Sequence, residues 1–231
     1  MDAIAEYLPL IRQGFITTVQ VTVLGAALAL VVAFALGLAR LSTHRWLRWP
    51  AACTVEFLRG TSLVVQLFWL FFALPFFGIQ LTPLFAGVLA LGLNEGAYAS
   101  EVVRGSIASR PRGQTEAAIA LNMTPAQRMR RILLPQSIPA MLPPMGNVMV
   151  DLLKNSSLVS LVTVADLTFN AGLIRSSTGE TALIYGIILV LYFILSLVIA
   201  GIIAVLERRF SPDRRGGSLF GALTGRMQGV S

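Results

Sequence analysis

The chain has 231 residues, 55% of them hydrophobic and 13% charged, with a net charge of +7 and a mean hydropathy of +0.76. A soluble domain carries roughly 25% charged residues, so the composition excludes an ordinary soluble protein and points to an all-α polytopic membrane protein. Cys53 and His44 are the only residues of their types, which leaves no intramolecular disulfide, no paired-cysteine metal site and no nucleophile–histidine pair for catalysis.

Residues 1–14 read as a short external arm, an interfacial helix through Ala5, Leu8, Leu10 and Ile11. Asp2 and Glu6 stand where a cleaved signal peptide would be basic, which argues against one. Gln13 to Ala39 is free of charge and fits one span, since about 20 apolar residues at 1.5 Å each cross a bilayer. Its small residues Gly25, Ala26, Ala27 and Ala29 allow close helix contacts. A basic loop with Arg40, His44, Arg45 and Arg48 follows. Gly60 to Asn94 is also uncharged but too long for one helix. Pro75, Gly78, Gln80 and Pro83 break it into a hairpin between spans two and three. A fourth span runs from Gln136 to Val164 with Asp151 and Lys154 inside it, and a fifth from Thr181 to Leu206. Residues 165–180 read as an external connection with one short helix, and 210–231 as a flexible polar tail.

The arginines explain the net charge better as topology than as nucleic-acid binding. They cluster after span one, between spans three and four, and after span five. Under the positive-inside rule this places the N-terminus outside and the C-terminus in the cytoplasm.

One polar segment interrupts the hydrophobic pattern. Gln114 to Leu121 is a good local helix former with Glu116 in its first turn, where it suits the helix dipole. Asn122 follows, a residue that accepts the left-handed conformation ending a helix. Thr124-Pro125-Ala126-Gln127 then reads as a capping box, opening a second helix over about 125–134. By local physics alone this is either a surface helical hairpin or a docking unit.

Glu116-Ala117-Ala118, then Asn122 after three intervening residues, then Ile132 and Leu134-Pro135 resemble the EAA motif of binding-protein-dependent ABC importers, with Asn122 in the usual Gly position. Arg59-Gly60-Thr61 with Gln66-Leu67, Gly96-Ala97-Tyr98 with Glu101, and Arg104-Gly105 extend the likeness over residues 15–209. They resemble the polar amino-acid (histidine/glutamine/arginine type) permeases. The resemblance implies a type I ABC importer permease fold with five transmembrane helices in the bacterial inner membrane. It implies that residues 114–134 are coupling helices docking on a cytoplasmic ATPase dimer. Glu116, Ala117, Ala118 and Asn122 would be at the contact, and Arg128 and Arg131 would meet acids of the ATPase or anionic lipid headgroups. It also implies an extracytoplasmic binding protein and a second permease, a homodimer or paralogous heterodimer partner. Asn122 is similar to the variant in family members that carry compatible solutes such as ectoine. ATP and Mg would bind the partner ATPase, because this chain lacks a P-loop: Lys154 is its only lysine, flanked by Leu153 and Asn155.

Ionisable groups at membrane depth are costly and point to function. Asp151 and Lys154 are three residues apart on one helical face, and Glu95 stands where the family usually has Ser. One reading is structural, with Asp151–Lys154 a buried pair and Glu101 bound to Arg104. The other is a pocket for an amino acid or related zwitterion, lined by Thr61, Gln66, Asn94, Glu95, Tyr98, Asp151 and Lys154. Two further classes compete with an ATP-driven importer: a proton-coupled transporter using Glu95, Glu101 and Asp151, and a non-transporting membrane assembly protein.

Overall fold

The computed structural model describes residues 2–210, with side chains from Tyr7 onward. Among the described residues the chain is wholly helical. Helix α1 (Asp2–Arg40) is unbroken and passes straight through the arm boundary read at residue 14. The flexible-tail expectation lies outside the described residues except for Phe210, which ends the last helix.

The segment read as a basic loop is instead an amphipathic helix, α2 (Arg45–Gly60). Its Ala51 and Val55 are buried, while Trp46 and Phe57 are 93% and 66% exposed. Its polar and apolar residues follow the helical period, a signal the basic-loop reading passed over. The chain then turns by 103° into α3 (Leu63–Phe68). A π turn and a 3-10 turn carry it to Gly78, whose φ of 82° makes the hairpin read from Pro75 and Gly78. Thr82 caps α4 (Pro83–Ala108), accepting the N–H of Phe85, with Pro83 in the first turn.

Helix α4 is the centre of the bundle. Its most extensive packing is against α1, and the approach is close because α4 presents glycines. A Cβ on Gly92 would lie 2.6 Å from Leu28 Cδ2, and one on Gly96 would lie 2.7 Å from Val32 Cβ. Small residues of α1 share in the contact: Ala29 is fully buried, its carbonyl 3.1 Å from that Gly96 position, and a Cβ on Gly37 would lie 2.9 Å from Val103 Cβ.

After α5 (Arg112–Ala120) come α6 (Pro125–Arg128), a π turn over Met129–Leu133 and α7 (Leu134–Asn155). The second short helix therefore does not stop at 134, as the sequence suggested. It runs without a break into α7, with the π turn absorbing one helical register before Pro135. A 3-10 turn (Ser156–Val162) ends at Thr163, and then come α8 (Leu167–Thr178) and α9 (Thr181–Phe210).

Three core clusters stack along α1. Tyr7 to Phe15 pack with Leu167, Ile174 and Ile188. Val21 packs with Leu67, Leu91 and Val159. Ala33 packs with Val103, Met141 and Met145. Leu189, Phe193, Leu197 and Val205 of α9 are all more than half exposed, the surface expected where lipid is the solvent. By length and apolarity α1 and α9 cross a membrane alone. Two bent pairs, Arg45–Gly60 with Leu63–Phe77 and Pro125–Val162 with Leu167–Thr178, bring the number to as many as four.

Candidate functional site

The polar segment folds as its caps dictate. Asn122 has a φ of 54°. Its N–H donates to Ile119 O at 2.9 Å, and the Met123 N–H donates to Ala118 O at 3.0 Å. These two bonds form a Schellman stop that satisfies the last carbonyls of α5. Thr124 Oγ1 accepts the Gln127 N–H at 3.3 Å and Gln127 Oε1 accepts the Thr124 N–H at 3.0 Å, the reciprocal capping box. Because α5 begins at Arg112, Glu116 sits in its second turn rather than its first. Glu116 and Ala117 are exposed, Ala118 is buried, and Arg131 is exposed while Arg128 is half-buried.

A cavity of about 510 Å³ opens between α3, α4 and α7. It gathers six of the seven pathway candidates: Thr61, Asn94, Glu95, Tyr98, Asp151 and Lys154. The seventh, Gln66, lies behind the wall. Its Nε2 donates to Leu58 O at 2.8 Å and to Thr61 Oγ1 at 2.6 Å, and its Oε1 accepts from Asn94 Nδ2 at 3.3 Å. Asn94 also donates to Leu58 O at 2.9 Å. These bonds pay the free carbonyls where the chain turns between α2 and α3, so Gln66 is a corner residue.

Asp151 and Lys154 do pair, Nζ to Oδ1 at 3.6 Å, but the pair is not buried: their side chains are 60% and 61% exposed. Both remain open to the cavity. Glu95 is only 4% exposed, and its Oε1 accepts a hydrogen bond from Asn155 Nδ2 at 2.7 Å. Glu101 lies outside the cavity lining, in a cationic cage. Its Oε2 accepts from Arg104 Nη2 at 2.7 Å, and its Oε1 bonds Arg40 and lies 3.9 Å from Arg59. The Arg59 guanidinium also stands 5.1 Å from the Tyr98 ring centre, near cation–π distance. A carboxylate held by three guanidiniums is a poor proton relay, which weakens the proton-coupled reading.

Sequence reasoning missed Asn155, Arg40 and Arg59 at these sites. Asn155 was findable, since it lies four residues after Asp151 on the same helical face. Arg40 joins Glu101 only across 61 positions, and no local pattern signals that. A second polar cluster was also unseen, at the connection before α8. Asp166 is fully buried, accepts the Phe169 N–H at 2.8 Å and takes a 3.3 Å bond from Tyr192 Oη. Thr18 Oγ1 accepts the Leu167 N–H at 3.1 Å, and Asn170 Nδ2 donates to Leu10 O at 2.8 Å. Burial pushes the Asp166 carboxyl up to about 6, against the opposing pull of its hydrogen bonds.

Residues 25–212 match the binding-protein-dependent transport system inner membrane component family. The chain belongs to that family. The permease is 41% identical to a probable amino-acid ABC transporter permease of Sinorhizobium fredii, y4tF, over 87% of each chain. It is 34% identical to the glutamine transport system permease GlnP of Escherichia coli, over 90% of this chain and 96% of that one. It is 34% identical to the arginine transport system permease ArtQ of Bacillus subtilis, over 92% and 97%. A crystal structure of an amino acid ABC transporter with histidines superposes with a TM-score of 0.82 at 35% identity, covering 89% of this chain and 96% of that one. The permease is therefore a multi-pass inner-membrane subunit that moves substrate and leaves ATP hydrolysis to a partner.

Proposed function

We propose that this chain is the translocating subunit of an importer for amino acids or related zwitterions, with preference for those carrying an added positive charge. The observation that carries the proposal is the continuity of one helical run. The run opens at the capping box at Pro125 and reaches Asn155 through the π turn and α7. Its far end holds Asp151, Lys154 and Asn155 against the cavity. A push on the capped end from a docked ATPase is carried along this run to the cavity wall, with the π turn and Pro139, Pro143 and Pro144 inside α7 as the points where it bends. Helix α5 is separated from α4 by Ser109–Pro111, so this run is the continuous one of the two links.

The cavity holds two carboxylates, Glu95 and Asp151, and one ammonium, Lys154. A zwitterion needs one of each sign, and the additional carboxylate favours a cationic side chain. The relatives include permeases named for arginine, glutamine and L-cystine, which supports an amino-acid substrate. Glu116, Ala117, Ala118 and Asn122 form the ATPase contact, with Arg131 beside it.

Helix α4 completes a set of five spans. It has 26 residues, about 39 Å of helix, and its Asn94 and Glu95 are buried against protein rather than lipid. The arginine asymmetry supports an N-terminus outside, with residues 15–209 as the permease domain and 210–231 as a cytoplasmic tail. A single chain leaves the cavity open on one side, so two permeases work as a pair, with an ATPase dimer inside and a binding protein outside.

The test is reconstitution with the cognate ATPase and binding protein, assayed for ligand-stimulated ATP hydrolysis and uptake. Glu116→Lys should abolish uptake while the permease still inserts. Normal ATP-driven uptake by that variant would remove the coupling assignment.

A further inference from the structure

A second cavity, of about 580 Å³, lies where the end of α1 meets the coupling element. It is separate from the cavity described above. Its polar wall holds Arg110, Arg112 and Arg128 with His44, and no acidic residue lines it. Three guanidiniums in one cavity repel one another unless an anion joins them. The structure supplies none. Arg110 Nη1 donates to Gln136 O at 3.1 Å, but its buried Nε has no partner. Among the described residues neither Arg112 nor Arg128 has an acid within 4.0 Å. A buried guanidinium N–H costs free energy until an acceptor meets it.

Ser42, Thr43 and Thr115 also line the cavity, and the remaining wall is apolar, with Leu38, Leu41, Ile107, Met129 and Leu133. Arginine recognises phosphate oxygens with a planar fork of donors. A soluble phosphate has no use for the apolar wall, whereas an acyl chain does. We infer that this cavity binds an acidic phospholipid of the cytoplasmic leaflet, its phosphate among Arg110, Arg112 and Arg128 and its glycerol and upper chain along Leu41 and Met129. Its position at the inner membrane surface rests on the orientation proposed above. Basic pockets on the cytoplasmic side are suited to anionic headgroups. The occupant touches the end of α1, the start of α5 and the α6–α7 run together, so it holds the coupling element against the bundle.

The test is native mass spectrometry of the full-length permease in a neutral detergent, which requires no transport and so succeeds or fails apart from the importer reading. Phosphatidylglycerol and phosphatidylcholine with identical acyl chains are titrated, with glycerol phosphate as competitor. The expected result is one phosphatidylglycerol site at least tenfold tighter than phosphatidylcholine. Arg112→Gln with Arg128→Gln, neither of which makes a side-chain bond that folding needs, should weaken it at least tenfold. Arg130→Gln with Arg131→Gln, exposed and outside the cavity, should leave it unchanged. Equal binding of both lipids overturns the inference, as does equal loss in the two variant pairs, which means diffuse attraction to a basic surface. Displacement by glycerol phosphate at lipid-like affinity overturns the lipid assignment in favour of a soluble anion.

Discussion

Glu95 is almost wholly covered, yet it borders the cavity and is held by Asn155. In the proposed function, a carboxyl group kept so close to a pocket bears on the charge a ligand must bring. A hydrogen bond to a charged group is worth about 1.5–3 kcal/mol. Glu95→Gln keeps the bond to Asn155, so transport assays should show the apparent KM for a cationic amino acid rising roughly tenfold. The value for a neutral one should change little. Equal change for both would make Glu95 structural. Asp166 gives a second prediction at this scale, in stability. Its folded pKa of about 6 lies above the ordinary 3.8. Folding therefore takes up a proton, and the group's contribution is full below 3.8 and lost as pH rises through about 6. At 1.4 kcal/mol per tenfold change in acidity, the window holds about 3 kcal/mol. Asparagine caps a helix as well as aspartate. In thermal unfolding, Asp166→Asn should flatten the fall in Tm between pH 4 and 6 and match or exceed the parent at pH 7. A Tm slope unchanged in Asp166→Asn would mean the carboxyl is ionised throughout.

At the scale of elements, the coupling unit was legible because its signals are local. Asn122, Thr124, Pro125 and Gln127 each act within four residues, and each does in the structure what its chemistry dictates. Helix α2 was missed. Its sequence is amphipathic at the helical period, a signal passed over when Arg45 and Arg48 are read only as topological charge. The same unit yields a graded prediction. Asn122→Gly should keep transport and stability, since glycine accepts a φ of 54°. Asn122→Val should cost about 1–2 kcal/mol, because a β-branched side chain crowds the backbone there. Coupled ATP hydrolysis should fall with it. Valine matching asparagine in both unfolding and coupling would show that the stop is not needed.

At the scale of the whole molecule, the spans and their direction make the proposal testable without a substrate. In a Cys53→Ser background, Ile79→Cys in the hairpin and Leu121→Cys at the end of α5 are both exposed, 52% and 74% for the native side chains. A membrane-impermeant maleimide added to intact cells should label position 79 and not 121, and inside-out vesicles should reverse this. Labelling of both from outside would invert or break the five-span topology.

Composition, charge-free runs and cap spacing by themselves determined that the chain is a helical membrane protein with one capped polar helical hairpin, because each is a property of a short stretch. The resemblance in the EAA segment added the transport class. Only the tertiary structure decided which polar residues share a cavity. It placed Gln66 in a corner, Glu101 in an arginine cage, and Asp151 and Lys154 in the open. It also joined the coupling element to the cavity wall through one continuous helix. These are long-range pairings, such as Glu95 with Asn155 across 60 positions. They are set by how α1, α4 and α7 pack, and no periodicity along the chain encodes them.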